Sequence, residues 1–241
     1  MTTNPPDADS LALMRNAIAN SKLFARWTPD QIAKLARSAS FRRYRRGNVV
    51  PTGSGADRQA LLTVSGLLEI SQTTSGGRRF VMGIVGGGEV AGLIRLFGNP
   101  VVEYGYVARD NAAVIHLPCA ELMALLDTDP VYWRDLARVV LQRKVDAVAA
   151  VLDQVVIGGA DYRIAATLQR LGKLFGVHAP QGTRLKLRLS QDDLADMLCV
   201  SRQTVNKELR RLEEMGVILC AYNTVTILDS DALHRIVSTG L

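Results

Sequence analysis

Long apolar runs are missing from this chain: no stretch approaches the ~20 uninterrupted apolar residues of a membrane span. Cysteine is scarce, with three in 241 residues. Cys119, Cys199 and Cys220 are odd in number and far apart, so no disulfide framework and no zinc or iron–sulfur ligand spacing can be read from them. The opening residues, Met1-Thr2-Thr3-Asn4-Pro5-Pro6-Asp7, lack the basic start and apolar core of a secretory signal. A reducing cytoplasm is the expected location. No Ser-His-Asp, Cys-His or paired-carboxylate arrangement stands out among the polar residues, so neither an enzyme nor a bound cofactor or metal is expected.

What is present is ordinary for a globular protein: 48% hydrophobic and 22% charged residues, with length for one or two domains. The net charge is +6, from 29 Lys and Arg against 23 Asp and Glu, which hints at a polyanionic partner. That excess is unevenly placed. Between Lys22 and Arg46 there are eight basic residues and one acidic, whereas residues 181–241 carry eight of each.

Glycine divides the chain, with 13 of its 20 copies between Gly47 and Gly105. Among them lie short β-type runs, Leu61–Val64, Leu67–Ile70 and Phe80–Ile84, and a Ser75-Gly76-Gly77 turn. Many short strands with glycine-bearing turns predict a compact sandwich or roll. Thr28-Pro29 is a helix start signal, and Ser21–Ser40 is expected to form a small helical cover. A long glycine-free helix is expected over Pro130–Ile157. In it Leu141, Val145, Val148, Leu152 and Val155 recur at 4-3-4-3 spacing, the seam of a coiled coil and hence a dimer interface. Gly158-Gly159 marks a boundary, Tyr162–Phe175 a second amphipathic helix, and Gly176–Gly182 a loop.

The strongest local signal runs from Leu189 to Gly216. Ser190 with Asp193 three residues on forms a capping box, and Leu194, Ala195 and Leu198 give a short helix its apolar face. Cys199-Val200 is a tight connection, and Ser201 caps a second helix whose Val205, Leu209 and Leu212 lie at i, i+4 and i+7. Gly216 supplies a left-handed stop. Two short helices so joined predict a helix-turn-helix. With Val205 and Leu209 inward, Arg202, Gln203, Asn206, Lys207 and Arg210 project together. Arg and Lys suit guanine O6 and N7, and Gln and Asn suit adenine N6 and N7. Ser201 and Thr204, at the amide-rich helix end, are placed for phosphate contacts. From Ser201 to Arg211 there are four basic residues against Glu208. Val217–Leu219 and Val225–Leu228 flank Tyr222-Asn223-Thr224 as a wing, and Arg184–Leu189 alternates as a further strand.

These residues resemble the CRP/FNR family of bacterial transcription regulators over most of the chain. Leu194-Ala195-Asp196-Met197-Leu198-Cys199-Val200-Ser201-Arg202-Gln203-Thr204-Val205 is similar to the family's reader motif. Tyr44–Val50, the Ser65-Gly66 turn and Gly88-Glu89-Val90-Ala91-Gly92 resemble its cyclic-nucleotide-binding β-roll, and Arg163-Ile164-Ala165 the start of the hinge-side helix. The resemblance implies an α+β chain: an arm (1–20), a cyclic-nucleotide-binding-like β-roll sensor (21–128), a dimerisation helix (129–157) and a winged helix-turn-helix (158–241). It further implies a homodimer on double-stranded DNA, an inverted-repeat operator read through helix 201–215, RNA polymerase as a partner, and Arg202, Gln203 and Lys207 on base-reading positions. Gln203 replaces an acidic residue there, so the half-site read is expected to differ. In cyclic-AMP-binding members a Gly-Glu pair meets the ribose and Arg-Ser-Ala the phosphate. Here those places read Gly92-Leu93 and Glu103-Tyr104-Gly105, no other nearby Arg substitutes, and the adenine-facing pair becomes Val148-Ala149. A carboxylate there repels an anion. The effector is therefore expected to be something other than cyclic AMP, or absent.

Other readings of single features are plainer. Gly86-Gly87-Gly88 lacks the lysine of a phosphate loop and reads as a roll turn. Arg42-Arg43-Tyr44-Arg45-Arg46 reads as a solvated surface turn. Cys119 and His116 are too few for a metal site. Two further functions remain compatible with the sequence: a regulator that is effector-independent or set by the redox state of Cys199 in the reader's turn, and a ligand-binding sensor acting through protein contacts.

Overall fold

A computed structural model describes residues 8–73, 79–98, 104–155, 159–198, 200–221 and 224–239. The chain divides into two compact units, Met1–Arg78 with Met82–Lys144, and Arg79–Val81 with Val145–Leu241.

The first unit opens with helix α1 (Ala8–Ala19), which the sequence leaves as a bare arm. Its Met14 and Ile18 are fully buried, so it is a core element. Helix α2 (Pro29–Ser38) begins where Thr28-Pro29 places it: Gln31 N–H donates to Thr28 Oγ1 at 3.3 Å while Thr28 N–H donates to Gln31 Oε1 at 2.9 Å, a closed capping box. Strands β1 (Ser40–Tyr44), β2 (Gln59–Ser65), β3 (Leu68–Thr73), β4 (Arg79–Val85), β5 (Val90–Ala91), β6 (Gly105–Ala108) and β7 (Ala112–Pro118) follow. They form two sheets, ordered β1-β7-β2-β5 and β4-β3-β6. Backbone bonds from Gly47 N–H to Ala108 O and from Val50 N–H to Tyr106 O carry the chain after β1 onto β6, so the two sheets close into a roll.

Continuous apolar runs are used here because β2 and β7 are covered on both faces. Leu61 and Val114 point into the roll interior with Leu68, Val85 and Tyr106. Their neighbours Leu62 and Ile115 point outward under α1, α2, α3 (Cys119–Leu126) and the start of α4 (Pro130–Val155), where Phe24, Trp27, Leu35 and Tyr132 pack. The Ser65-Gly66 turn requires glycine: φ is +77°, and a Cβ would lie 2.6 Å from Asn111 O. The arginine run 42–46 is not a surface turn throughout. Its first half is strand β1, paired with β7 in the register Arg42↔Val114 and Tyr44↔Ala112, because Phe41 and Tyr44 supply inward-facing rings between exposed arginines.

The second unit contains α5 (Ala160–Phe175), β8 (Gly176–Ala179), β9 (Gly182–Leu185), α6 (Gln191–Leu198), α7 (Arg202–Glu214), β10 (Ile218–Ala221), β11 (Thr224–Ile227) and α8 (Ser230–Thr239). Its sheet runs β10-β11-β9-β8. The expected loop 176–182 is instead a hairpin, registered Gly176↔Leu185 to Ala179↔Gly182, with Pro180-Gln181 confined to its turn. The strand expected over 184–189 ends at Leu185. Leu187 and Leu189 keep the buried alternation in extended chain whose Lys186 N–H bonds Phe175 O rather than a strand. Among the described residues no helix is long and apolar enough to cross a membrane.

Candidate nucleic-acid interface

The reader is assembled by local rules. Ser190 N–H donates to Asp193 Oδ2 at 2.9 Å and Asp193 N–H to Ser190 Oγ at 3.1 Å, so the capping box that starts α6 is closed. Leu194, Ala195, Met197 and Leu198 bury the inner face of α6. Ser201 Oγ accepts from Thr204 N–H at 3.0 Å and starts α7. Val205, Leu209 and Leu212 are buried, and Gly216 at φ +71° ends the turn after α7. The wing follows as the β10–β11 hairpin, registered Ile218↔Ile227 to Ala221↔Thr224.

The outer face of α7 is where the predicted residues gather. Ser201, Arg202, Gln203, Lys207 and Arg210 are exposed, and Thr204 and Asn206 half-buried. Their states differ in ways that spacing does not reveal. The Ser201 and Thr204 hydroxyls lie 2.8 Å apart and bond each other. Asn206 Oδ1 accepts from Gln191 Nε2 at 3.1 Å, and Arg202 Nη1 lies 3.5 Å from Asp192 Oδ2. Arg211, counted with the basic cluster, is turned away from it. Its Nε meets Glu208 Oε2 at 3.2 Å and its Nη2 meets Asp161 Oδ2 at 3.3 Å, tying α7 to the first turn of α5. Glu208 is only 9% exposed, so Arg211 neutralises a nearly buried carboxylate. Sequence reasoning missed Gln191, Asp192 and Asp161, which no helical spacing links to α7, and also the Glu208–Arg211 pair, which its i, i+3 spacing could have shown. It also passed over Arg184, Lys186 and Arg188, three exposed cations alternating with buried leucines, whose signal was the period-two pattern itself.

The effector-pocket candidates are less coherent. Gly92 sits at φ +74° before a 3₁₀ turn, Leu93–Phe97, and Leu93 is buried in the helix-side core. Tyr104 packs against the roll interior. Val148 belongs to the second unit and is 48% exposed. Glu103 lies outside the described residues, as does the side chain of Ala149. Arg95, 8% exposed in that 3₁₀ turn, donates to Gly53 O. Arg143 of α4 donates to Val90 O and lies 3.6 Å from Glu89.

Along α4 the proposed seam residues Leu141 and Val145 are 61% and 62% exposed. The side chains of Leu152 and Val155 lie outside the described residues, and so does Cys199. Cys119 and Cys220 are free thiols, both pushed up chiefly by burial, Cys220 to about 12 with the Glu213 carboxylate adding to it.

A capped helix pair with a polar outer face, a β-wing and a separate β-roll defines a winged helix-turn-helix DNA-binding protein. Residues 162–236 match the Crp-like helix-turn-helix domain. The C-terminal domain is Crp-like, and the chain, a DNA-binding regulator, is similar over nine-tenths of its length to CRP-type transcription regulators. The CRP-like cAMP-activated global transcriptional regulator of Mycobacterium tuberculosis is 25% identical over 223 residues, covering 92% of this chain and 99% of its own. The cyclic AMP receptor protein of Thermus thermophilus is 24% identical over 216 residues, covering 90% and 96%. Among solved structures, a CRP/FNR-family transcriptional regulator from Thermus thermophilus shares the fold with a TM-score of 0.67 at 22% identity, over 84% of this chain and 100% of that one. The c-di-GMP-responsive global regulator CLP of Xanthomonas campestris does so at 0.67 and 23%, over 84% and 100%.

Proposed function

We propose that the chain acts as a homodimer that reads an inverted-repeat operator through α7, under a sensor that does not respond to cyclic AMP. In this reading residues 21–128 are the sensor, 129–157 the dimerisation helix and 158–241 the reader. RNA polymerase is the machinery it regulates. The observation that carries the reading is the face of α7: Arg202, Gln203, Lys207 and Arg210 exposed over buried Val205, Leu209 and Leu212, behind a capped turn. Dimerisation is supported by the exposed aliphatic row Leu141, Val145 and Val148 at 4-3 spacing on α4, a surface that water disfavours unless a second copy covers it. A twofold pair would present two reader helices about 34 Å apart.

Two relatives are named for cyclic AMP, yet this chain has buried Leu93 where a ribose-binding carboxylate would stand and apolar Val148 where an adenine partner would. Selection from randomised duplex DNA by the full chain, with and without cyclic AMP, tests both parts. The expected outcome is an inverted repeat with half-site centres one helical turn apart and an affinity unchanged by the nucleotide. No enriched repeat overturns the operator reading, and a gain of about tenfold or more with cyclic AMP overturns the sensor reading.

A further inference from the structure

We propose that Asp192 of α6 is a specificity-determining residue of the DNA interface, which acts by making the Arg202 guanidinium favour a base edge over a phosphate. The inference rests on α7 being the reader and concerns how that reader discriminates.

Two contacts cross between the helices at matched positions. Arg202, first residue of α7, meets Asp192 at 3.5 Å, and Asn206, one turn later, accepts from Gln191 at 3.1 Å. Residues i and i+4 of α7 therefore lean on neighbouring residues in the first turn of α6, which supports the reading row at two points. The ion pair adds little to folding. Arg202 and Asp192 side chains are 66% and 64% exposed, and such pairs are worth ~0–1 kcal/mol in water. Its use begins when DNA displaces that water, because charge–charge energies rise as the effective dielectric falls.

A guanidinium has five N–H donors in a rigid fork. Two can address guanine O6 and N7 while a third stays on Asp192, so the carboxylate aligns the fork for that edge. A phosphate contact is treated oppositely. To reach one, Arg202 must leave Asp192, or carry a carboxylate up to a second anion, and both routes cost binding. Asp192 thus weakens sequence-independent binding while leaving the operator contact intact.

The test uses the full chain on its selected operator, on operators changed at each half-site position, and on random-sequence duplex, over a salt series. Wild type is compared with Asp192→Asn, which keeps shape and removes charge, with Arg202→Ala, and with the double variant. Expected for Asp192→Asn is a ~3- to 10-fold tighter grip on random DNA and a correspondingly smaller ratio of operator to random-DNA affinity. The lost discrimination should fall at the one base pair whose identity Arg202→Ala also relaxes, and the salt slope on random DNA should steepen by up to ~0.9 as Arg202 becomes free for phosphate. In the Arg202→Ala background Asp192→Asn should have no position-dependent effect. If Asp192→Asn scales every duplex by one factor, or acts equally with and without Arg202, the inference is overturned and Asp192 is only a nearby anion. A wild-type chain that selects no sequence overturns the reading of α7 as well, which separates the two failures.

Discussion

At the scale of single residues, His116 shows how burial fixes a protonation state. It lies in the interior of β7, 1% exposed, with Nδ1 2.8 Å from Gln59 Oε1 and Nε2 2.8 Å from the Tyr44 hydroxyl. An amide oxygen can only accept, so Nδ1 carries the proton and Nε2 accepts from Tyr44. Desolvation, with Arg42 adding to it, lowers the imidazole to about 4 from an ordinary 6.5. Because the folded value lies below the unfolded one, the stabilisation is complete above pH 6.5. It is lost as pH falls from there toward 4, at up to about 1.4 kcal/mol per pH unit. Denaturant midpoints between pH 7 and pH 4.5 should therefore fall more steeply for wild type than for His116→Gln, whose amide can also accept from Tyr44 but does not titrate. Equal slopes for the two proteins would place the acid sensitivity elsewhere. The sequence showed this histidine only as a residue sharing a segment with Cys119. Nothing local announces a partner 57 or 72 positions away.

At the scale of elements, what keeps α7 in place matters as much as what it displays. The Asp161–Arg211–Glu208 tie joins α5 to α7 and shields a nearly buried carboxylate. Arg211→Ala should cost about 1 kcal/mol in denaturant unfolding, reduced by the half-exposure of Arg211 and Asp161 and raised by the stranded Glu208. Affinity for DNA should fall evenly across operator variants. A change of preference confined to one base pair would instead make Arg211 a reader. Legibility in the sequence follows the same division between local and distant causes. Ser190 with Asp193, Thr28-Pro29 and the Ser201-to-Gly216 pattern could be read because capping, amphipathic burial and a left-handed stop each act within one helical turn. The β-run 61–64 was visible for a related reason, since a strand buried on both faces is simply apolar. The 176–185 hairpin was not visible, because Gly176, Pro180 and Gly182 mimic a loop while its strands are fixed by pairing of β9 with β11. Asp192, Gln191 and Asp161, the partners that Arg202, Asn206 and Arg211 find on other helices, were hidden for the same reason.

At the scale of the whole molecule, the excess of six positive charges is a poor guide to where DNA is held. The winged domain's residues 181–241 balance eight basic against eight acidic side chains, and part of that balance is internal: Arg211 is tied to Glu208, and Arg235 lies 3.9 Å from Asp229. The excess sits instead between Lys22 and Arg46, in the unit that contains the roll, with Arg42 and Arg43 exposed on β1 and Arg45 and Arg46 exposed beyond it. Arg43 lies 5.8 Å over the Phe41 ring, and Asn48 Oδ1 accepts from Arg45 N–H, so local structure already accounts for this segment. Charges of this kind act at long range and are screened beyond about 8 Å at physiological ionic strength. Replacing Arg43 and Arg46 by Ser should therefore lower association at low salt while leaving operator affinity at physiological salt within about twofold and base preferences unaltered. Equilibrium binding across a salt series decides it. Loss of about tenfold at physiological salt, with a slope shallower by roughly two contacts, would mean that the arginine face itself touches the phosphate backbone. In that event the roll-containing unit would also grip DNA, and the even charge of residues 181–241 would reflect a division of labour between reading and holding.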